Sequence, residues 1–150
     1  MPLGPTRIGP AVFGSDGSRA ELIELKREEG LIRMKGPDTY RQAVDRLSEA
    51  SLEAAERAGI GFDEIDLFAF HQANARILTA VGERLGLPSE RVINSISDSG
   101  NTSAASIPLA LAQADQGGML KRDATVLLAA FGGGLTWGAT VIEWGLADAA

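Results

Sequence analysis

The sequence predicts an α/β protein with a mixed, mainly parallel sheet, helices on both faces and an antiparallel hairpin at its carboxyl end. Three segments carry apolar residues at three- and four-residue steps, the spacing of one helical face. These segments alternate with short apolar runs, and the runs at residues 65–70 and 125–130 are typical of strands buried on both faces of a parallel sheet. Alternating strands and helices favour right-handed crossovers between parallel strands.

The amino-terminal third predicts short strands. Residues 1–10 hold three prolines and two glycines, and we interpret them as a linker or a truncated end. Residues 11–13 form a short apolar strand that stops at a turn-rich run. Residues 20–34 fit two strands with a turn at 28–30, and a helix over residues 19–29 is the alternative.

The remaining elements follow from periodicity and from helix start and stop signals. A first helix is expected from residue 39 to 58, with Asp38 as its N-cap and Gly59 as its stop. A second helix carries the apolar positions between 77 and 85, and a third runs from 103 to about 116. A short strand is expected near residues 92–93. Glycines 132 to 134 then turn the chain into a last strand, which completes the hairpin.

Composition narrows the possible functions. The 150 residues suit one domain, placed at residues 11–146 with a tail at 147–150, or one half of a larger fold. A net charge of −6 argues against binding to nucleic acid or to an anionic membrane surface. No apolar run approaches the roughly 20 residues of a membrane span, and the start lacks the apolar core of a signal peptide, so a cytoplasmic location is expected.

His71 is the only histidine, and it lies between a predicted buried strand and a helix that begins near Asn74. A lone histidine beside apolar residues is more often structural. This one would lie at the carboxyl end of the sheet, where α/β proteins present their chemistry. The adjoining helix amino terminus would disfavour an imidazolium and keep the ring a neutral N–H donor.

Two further runs supply donors of other kinds. Asn101 follows Gly100, and a glycine-rich run covers residues 132–134. Each alone is typical of a helix cap or a turn. Together with His71 they could place an imidazole, a carboxamide and a main-chain N–H around one carbonyl oxygen that acquires negative charge. One histidine and no cysteine make a metal site improbable, so none is expected.

The three runs resemble one family. They read Phe-His-Gln-Ala-Asn at 70–74, Gly-Asn-Thr-Ser-Ala-Ala-Ser at 100–106 and Phe-Gly-Gly-Gly-Leu-Thr-Trp-Gly at 131–138. In this order and spacing they resemble the carboxy-terminal half of β-ketoacyl-[acyl-carrier-protein] synthase III, the thiolase-fold enzyme that starts type II fatty-acid synthesis. The resemblance runs from about residue 9 to 144. It implies half of a thiolase-type fold.

The resemblance also implies roles for residues in the condensation of an acyl-CoA starter with malonyl-[acyl-carrier-protein]. His71 and Asn101 match the side chains that bind the malonyl thioester carbonyl and stabilise the enolate formed on decarboxylation. Phe131 matches an apolar residue near the malonyl carboxylate, where poor solvation favours loss of carbon dioxide. Gly133 matches the glycine whose backbone N–H helps form the oxyanion hole for the acyl-cysteine carbonyl.

The expected partners follow from the same resemblance. Asn74 matches a residue that lines the phosphopantetheine tunnel, and Arg76 matches a basic residue at its mouth that helps to attract the acidic acyl carrier protein. The other expected partner is a small molecule, acyl-CoA. No resident cofactor is expected, because the substrates themselves carry CoA or phosphopantetheine.

One departure from the family changes the expected activity. Family members carry a nucleophilic cysteine in a first half, whereas this sequence has no cysteine. Because an acyl intermediate requires a nucleophile, we expect the chain alone to be inactive in condensation. The surface that such a half would cover predicts association with that half or with a second copy.

Two alternatives to the condensing-enzyme reading stay open. The first is a non-catalytic binding or assembly module, which pairs with a cysteine-bearing partner or binds CoA or pantetheine without turnover. The second is a thiol-free malonyl decarboxylase that uses His71 and Asn101.

Overall fold

A computed structural model describes residues 8–145. In chain order its elements are β1 (Val12–Ser15), β2 (Ile23–Lys26), β3 (Leu31–Met34), α1 (Gly36–Ala58), β4 (Leu67–Phe70), α2 (Ala75–Arg84), α3 (Ile96–Ser99), α4 (Ser106–Gln116), β5 (Thr125–Gly132) and β6 (Thr136–Glu143). Strands β2 and β3 form an antiparallel hairpin of their own. The strand interpretation is therefore confirmed over the helical alternative from Ile23 to Met34, whereas Gly17–Leu22 form a short 3-10 helix where the first strand was expected to begin.

The main sheet is mixed and has the order β1-β6-β5-β4. Strands β4 and β5 are parallel, whereas β6 pairs antiparallel with β5 and with β1, so the predicted carboxyl-terminal hairpin is confirmed. The parallel share is smaller than expected, because the strand predicted at residues 92–93 is a single parallel bridge between Val92 and Phe68. The Ile93 carbonyl accepts a bond from the Gln72 side chain, and the chain soon enters α3.

Helices cover both faces of this sheet, as predicted. Side chains alternate along β4, since successive residues of a strand point to opposite faces. Phe68 and Phe70 pack in one core with residues of α1 and α2. Leu67 and Ala69 pack in a second core with Ala110 and neighbouring residues of α4. The two cores hold the sheet between two layers of helices.

The long helix α1 begins earlier than the sequence indicates. Asp38 was expected as its N-cap, but the cap is Lys35 and Asp38 lies inside the first turn, where its carboxylate pairs with Arg41. Pro37 explains the earlier start, because its fixed backbone angle is compatible with the first turn of a helix. The helix ends as predicted at Gly59, which adopts the left-handed conformation with φ of 67°.

Sheet pairing also begins earlier than the predicted domain boundary at residue 11. Ile8 bridges to Ile142, and the Gly9 N–H donates to the Val141 carbonyl at 2.7 Å. Residues 8–10 are therefore attached to the sheet and are not a linker. The rest of the predicted linker and the predicted tail at 147–150 lie outside the described residues.

Candidate active site

An open groove of about 1230 Å³ lies at the carboxyl edge of the parallel strand pair. His71 directly follows β4, and Phe131 lies near the end of β5. Because β4 and β5 run parallel, their carboxyl ends meet at one edge of the sheet. The groove is lined by all six residues that the sequence singled out: His71, Asn74, Arg76, Asn101, Phe131 and Gly133.

His71 is held through both its backbone and its ring. Its backbone N–H donates to the Ala129 carbonyl at 2.8 Å, which continues the pairing of β4 with β5. Its Nδ1 lies 2.5 Å from the Ser106 hydroxyl. Burial of the ring lowers the pKa of His71 from its usual 6.5. At pH 7 the ring is therefore mainly in its neutral form, which carries one N–H.

The side chain of Asn101 can stabilise a local turn through its oxygen and donate to a ligand through its nitrogen. Its Oδ1 accepts the Ser103 backbone N–H at 3.0 Å, a local bond typical of asparagine in turns. Gly100 before it has a φ of 66°, a conformation that favours glycine. Since the oxygen is used within the turn, the Nδ2 end of the carboxamide is the one that can donate to a ligand.

Asn74 and Arg76 lie at the start of α2. Asn74 is the N-cap of this helix, and its Oδ1 accepts the Arg76 backbone N–H at 2.8 Å. The Arg76 guanidinium lies 5.8 Å from the centroid of the Tyr40 ring, within the range of a cation–π contact. Both residues are exposed, so Arg76 presents a positive charge at the rim of the groove.

The glycine-rich loop between β5 and β6 lies against β2. A Cβ on Gly133 would lie 3.3 Å from the Ile23 Cγ2 and 3.4 Å from the Ile23 carbonyl oxygen, so this approach favours glycine. Reciprocal backbone bonds of 2.8 and 2.9 Å between Asp16 and Leu135 hold the loop in place. Gly133 is exposed while Phe131 is buried beneath the groove.

Two polar residues beneath the groove were not identified as functional from the sequence. The Gln72 side chain is fully buried, and its Nε2 donates to the Phe70 and Ile93 carbonyls at 2.8 and 3.1 Å. Its Oε1 accepts the Ser95 N–H at 2.9 Å. Ser106 contacts His71 from the start of α4. Both residues lie within the motifs, but only tertiary packing reveals their partners.

Metal-binding clusters and membrane-spanning helices are both absent from the described residues. Between residues 8 and 145, no group of three histidine, aspartate or glutamate side chains could hold a metal ion. The same part of the chain contains no helix that is both long enough and apolar enough to cross a membrane.

A mixed sheet between helix layers, with these motifs at one edge, defines the carboxy-terminal half of a thiolase-type fold. Residues 55–144 match the family model described as "3-Oxoacyl-[acyl-carrier-protein (ACP)] synthase III C terminal". The chain belongs to this family.

Curated relatives carry the same family name. A β-ketoacyl-[acyl-carrier-protein] synthase III of Staphylococcus epidermidis is 48% identical over 133 residues, which are 89% of this chain and 42% of the relative. The β-ketoacyl-[acyl-carrier-protein] synthase III 2 of Streptomyces coelicolor is 47% identical over 136 residues, 91% of this chain and 41% of the relative. The chain thus spans less than half the length of the relatives it matches.

Solved structures agree with this assignment. The β-ketoacyl-[acyl-carrier-protein] synthase III of Thermus thermophilus superimposes with a TM-score of 0.88 at 39% identity, over 98% of this chain and 49% of that structure. The 3-oxoacyl-[acyl-carrier-protein] synthase III of Aquifex aeolicus gives a TM-score of 0.88 at 42% identity, over 91% of this chain and 44% of that structure.

Proposed function

We propose that this chain is the enolate-stabilising part of a 3-oxoacyl-[acyl-carrier-protein] synthase III. The complete enzyme would condense an acyl-CoA starter with malonyl-[acyl-carrier-protein] in fatty-acid synthesis. The observation that carries the proposal is that the imidazole of His71, the carboxamide of Asn101 and the loop of Gly133 line one groove above buried Phe131. Family membership supports the same reaction.

In the first proposed step, the malonyl thioester carbonyl accepts hydrogen bonds from His71 and Asn101. The bond between the α-carbon and the carboxylate breaks, carbon dioxide leaves, and the electron pair passes into an enolate. Donors fixed before the reaction stabilise the charge that develops on the enolate oxygen. Phe131 provides an apolar neighbour for the carboxylate, which is poorly solvated there and is therefore lost more readily.

In the second proposed step, the enolate carbon attacks an acyl thioester on a cysteine of the amino-terminal half that family members carry. A carbon–carbon bond forms, and the cysteine thiolate leaves. The carbonyl oxygen becomes an oxyanion in between, and the Gly133 N–H would donate to it. Because this sequence holds no cysteine, the proposal includes that the chain alone does not condense its substrates.

The proposed partners are acyl-CoA and the acyl carrier protein. The exposed guanidinium of Arg76 at the groove rim suits an acidic carrier, and Asn74 beside it would face the phosphopantetheine arm. Decarboxylation by hydrogen-bond donors requires no resident cofactor, because the substrates carry CoA or phosphopantetheine themselves. A cytoplasmic location and the absence of nucleic-acid or membrane partners stay predictions.

Complementation tests the proposal. The purified chain is mixed with a separately produced cysteine-bearing half of a family member, and ketoacyl product is followed from acetyl-CoA and malonyl-[acyl-carrier-protein]. We expect no product from either part alone and product from the mixture. His71→Ala or Asn101→Ala should lower that activity about a hundredfold or more, since one oxyanion donor contributes on that scale.

Gln116→Ala is the matched control, because it removes an exposed side chain at the end of α4. It should leave the activity of the mixture unchanged. Steady product formation by the chain alone would refute its inactivity. Carrier-protein or CoA binding without any gain of activity on mixing would favour the non-catalytic binding module.

A further inference from the structure

The hydroxyl of Ser106 contacts Nδ1 of the His71 ring and joins two elements of the site. Ser106 is the first residue of α4 and is 1% exposed. Its Oγ lies 2.5 Å from His71 Nδ1 and accepts the Gln72 backbone N–H at 3.2 Å. One buried oxygen therefore connects the end of β4 with the start of α4.

The hydrogen bonds that the Ser106 Oγ accepts determine where the hydroxyl proton of Ser106 points. The Gln72 N–H can only donate, so it occupies a lone pair of the Ser106 oxygen. The Ser106 proton then needs an acceptor, because an unsatisfied buried hydroxyl is costly. Among the described residues, His71 Nδ1 is the acceptor in contact with this hydroxyl. Nδ1 is thus unprotonated in the neutral ring.

The opposite nitrogen of the ring is the one left for the groove. A neutral imidazole carries a single N–H, so an accepting Nδ1 places that proton on Nε2. His71 is half-buried and lines the groove, while Nδ1 faces the buried hydroxyl. The backbone bond from His71 to Ala129 holds the Cα, so the Ser106 contact fixes the orientation of the ring.

We infer that Ser106 is a positioning residue that holds His71 as the Nε2–H tautomer, with this N–H available to a carbonyl oxygen in the groove. The use of that N–H by a thioester rests on the proposed function. The tautomer itself does not, because it follows from the contacts of Ser106, His71 and Gln72. This difference allows the two ideas to be tested separately.

The tautomer can be read directly in the intact chain, because His71 is its only histidine. Imidazole nitrogens labelled with ¹⁵N are observed by long-range proton–nitrogen NMR, about two pH units above the usual histidine pKa. We expect Nδ1 to show the shift of an unprotonated nitrogen and Nε2 that of a protonated one. A protonated Nδ1 in the unmodified chain would overturn the inference without any variant.

Three variants identify the source of this preference. Ser106→Ala should move both nitrogen shifts towards the average of the two tautomers, and Ser106→Thr, which keeps the hydroxyl, should restore them. Ser48→Ala is the control: it removes another buried hydroxyl, which donates to Val44 within α1, and should leave the His71 spectrum unchanged. Unchanged shifts in a folded Ser106→Ala chain would refute the role of Ser106.

Complemented activity separates this inference from the proposed function. Ser106→Ala should lower kcat on the order of tenfold, with a smaller change in KM, as expected for the loss of one orienting hydrogen bond. Ser106→Thr should recover most of that loss. If the spectra behave as expected but His71→Ala retains full activity, the tautomer assignment stands and the proposed function fails.

Discussion

At the scale of single residues, His71 is tuned by its surroundings to remain uncharged. Burial lowers its pKa because the charged ring is poorly solvated there. The Ser106 proton favours the same form, since it needs an unprotonated Nδ1. A neutral ring still donates one N–H, which is what an oxyanion requires of it.

This environment predicts a pH dependence. An NMR titration of the single histidine should give a pKa below 6.5, with unfolded chain near 6.5 as the reference. Complemented activity should be full above this range and should fall as the pH drops through the lowered pKa, because the ring becomes protonated. The free energy of unfolding should fall in the same direction, since the unfolded chain binds the proton more readily.

The replacement His71→Gln provides the control for this titration. A glutamine carries no titratable group, so the part of the acid destabilisation that His71 causes should disappear in this variant. A His71 pKa at or above 6.5 in the folded chain would contradict the prediction.

The residues of the site differ in how far the sequence reveals them. Donors of three kinds at predicted strand and turn boundaries point to His71, Asn101 and the glycine-rich run 132–134, and the family resemblance then singles out Gly133. The structure places them along one groove. Ser106 could not be identified in the same way, because a serine at a helix start usually indicates a cap, and its contact with His71 spans 35 residues of chain. Such contacts depend on how β4 and α4 pack.

At the scale of elements, the pairing of β1 with β6 depends on a glycine. Gly14 pairs with Trp137, and the indole lies across the Gly14 backbone. A Cβ built on Gly14 would lie 2.3 Å from a ring carbon of Trp137. The Arg46 guanidinium of α1 lies 4.7 Å from the centroid of the Trp137 ring, and Trp137 also lines the groove. The position of Trp137 therefore connects the edge of the sheet with α1 and with the site.

We therefore expect Gly14→Ala to destabilise the fold by about 1–3 kcal/mol, the usual cost of forcing an extra group into a packed site. Urea unfolding followed by tryptophan fluorescence measures this change. Gly17→Ala is the matched control, because a Cβ there meets nothing within 4 Å and the residue is exposed. Equal midpoints for both variants would show that the indole moves aside without cost.

The elements themselves were predictable where their signal is local. Apolar periodicity located α1 and α2, and Gly59 marked the end of α1. The neighbours of each strand were less accessible, because order and direction in a sheet depend on long-range pairing. The sequence therefore predicts a larger parallel part of the sheet than the structure has. It also does not reveal that the Ile93 carbonyl accepts a hydrogen bond from the Gln72 side chain and not from a neighbouring strand.

At the scale of the whole molecule, residues 8–145 leave part of one sheet face uncovered. Val12 on β1 is buried against the α1 side, and the next residue, Phe13, is 84% exposed. Phe13 lies on the face of the sheet opposite α1. On that face helix α4 covers β4 and the start of β5, and Leu109 of α4 is 40% exposed. Exposed apolar groups of this size favour association. The chain spans 42% of its Staphylococcus relative, and the remainder of such a protein is the proposed cover.

In the absence of that remainder, we expect the chain to self-associate through the side of the sheet that carries Phe13. Sedimentation over a wide concentration range should show a reversible dimer, and Phe13→Ser should weaken it at least about tenfold, because each copy loses a buried aromatic ring. Leu52→Ser is the control, since Leu52 is 52% exposed on α1, which covers the opposite face. A sharp monomer at all concentrations would contradict the prediction. An equal loss of dimer in both variants would also contradict it, because association would then depend on exposed apolar area anywhere on the surface and not on the side that carries Phe13.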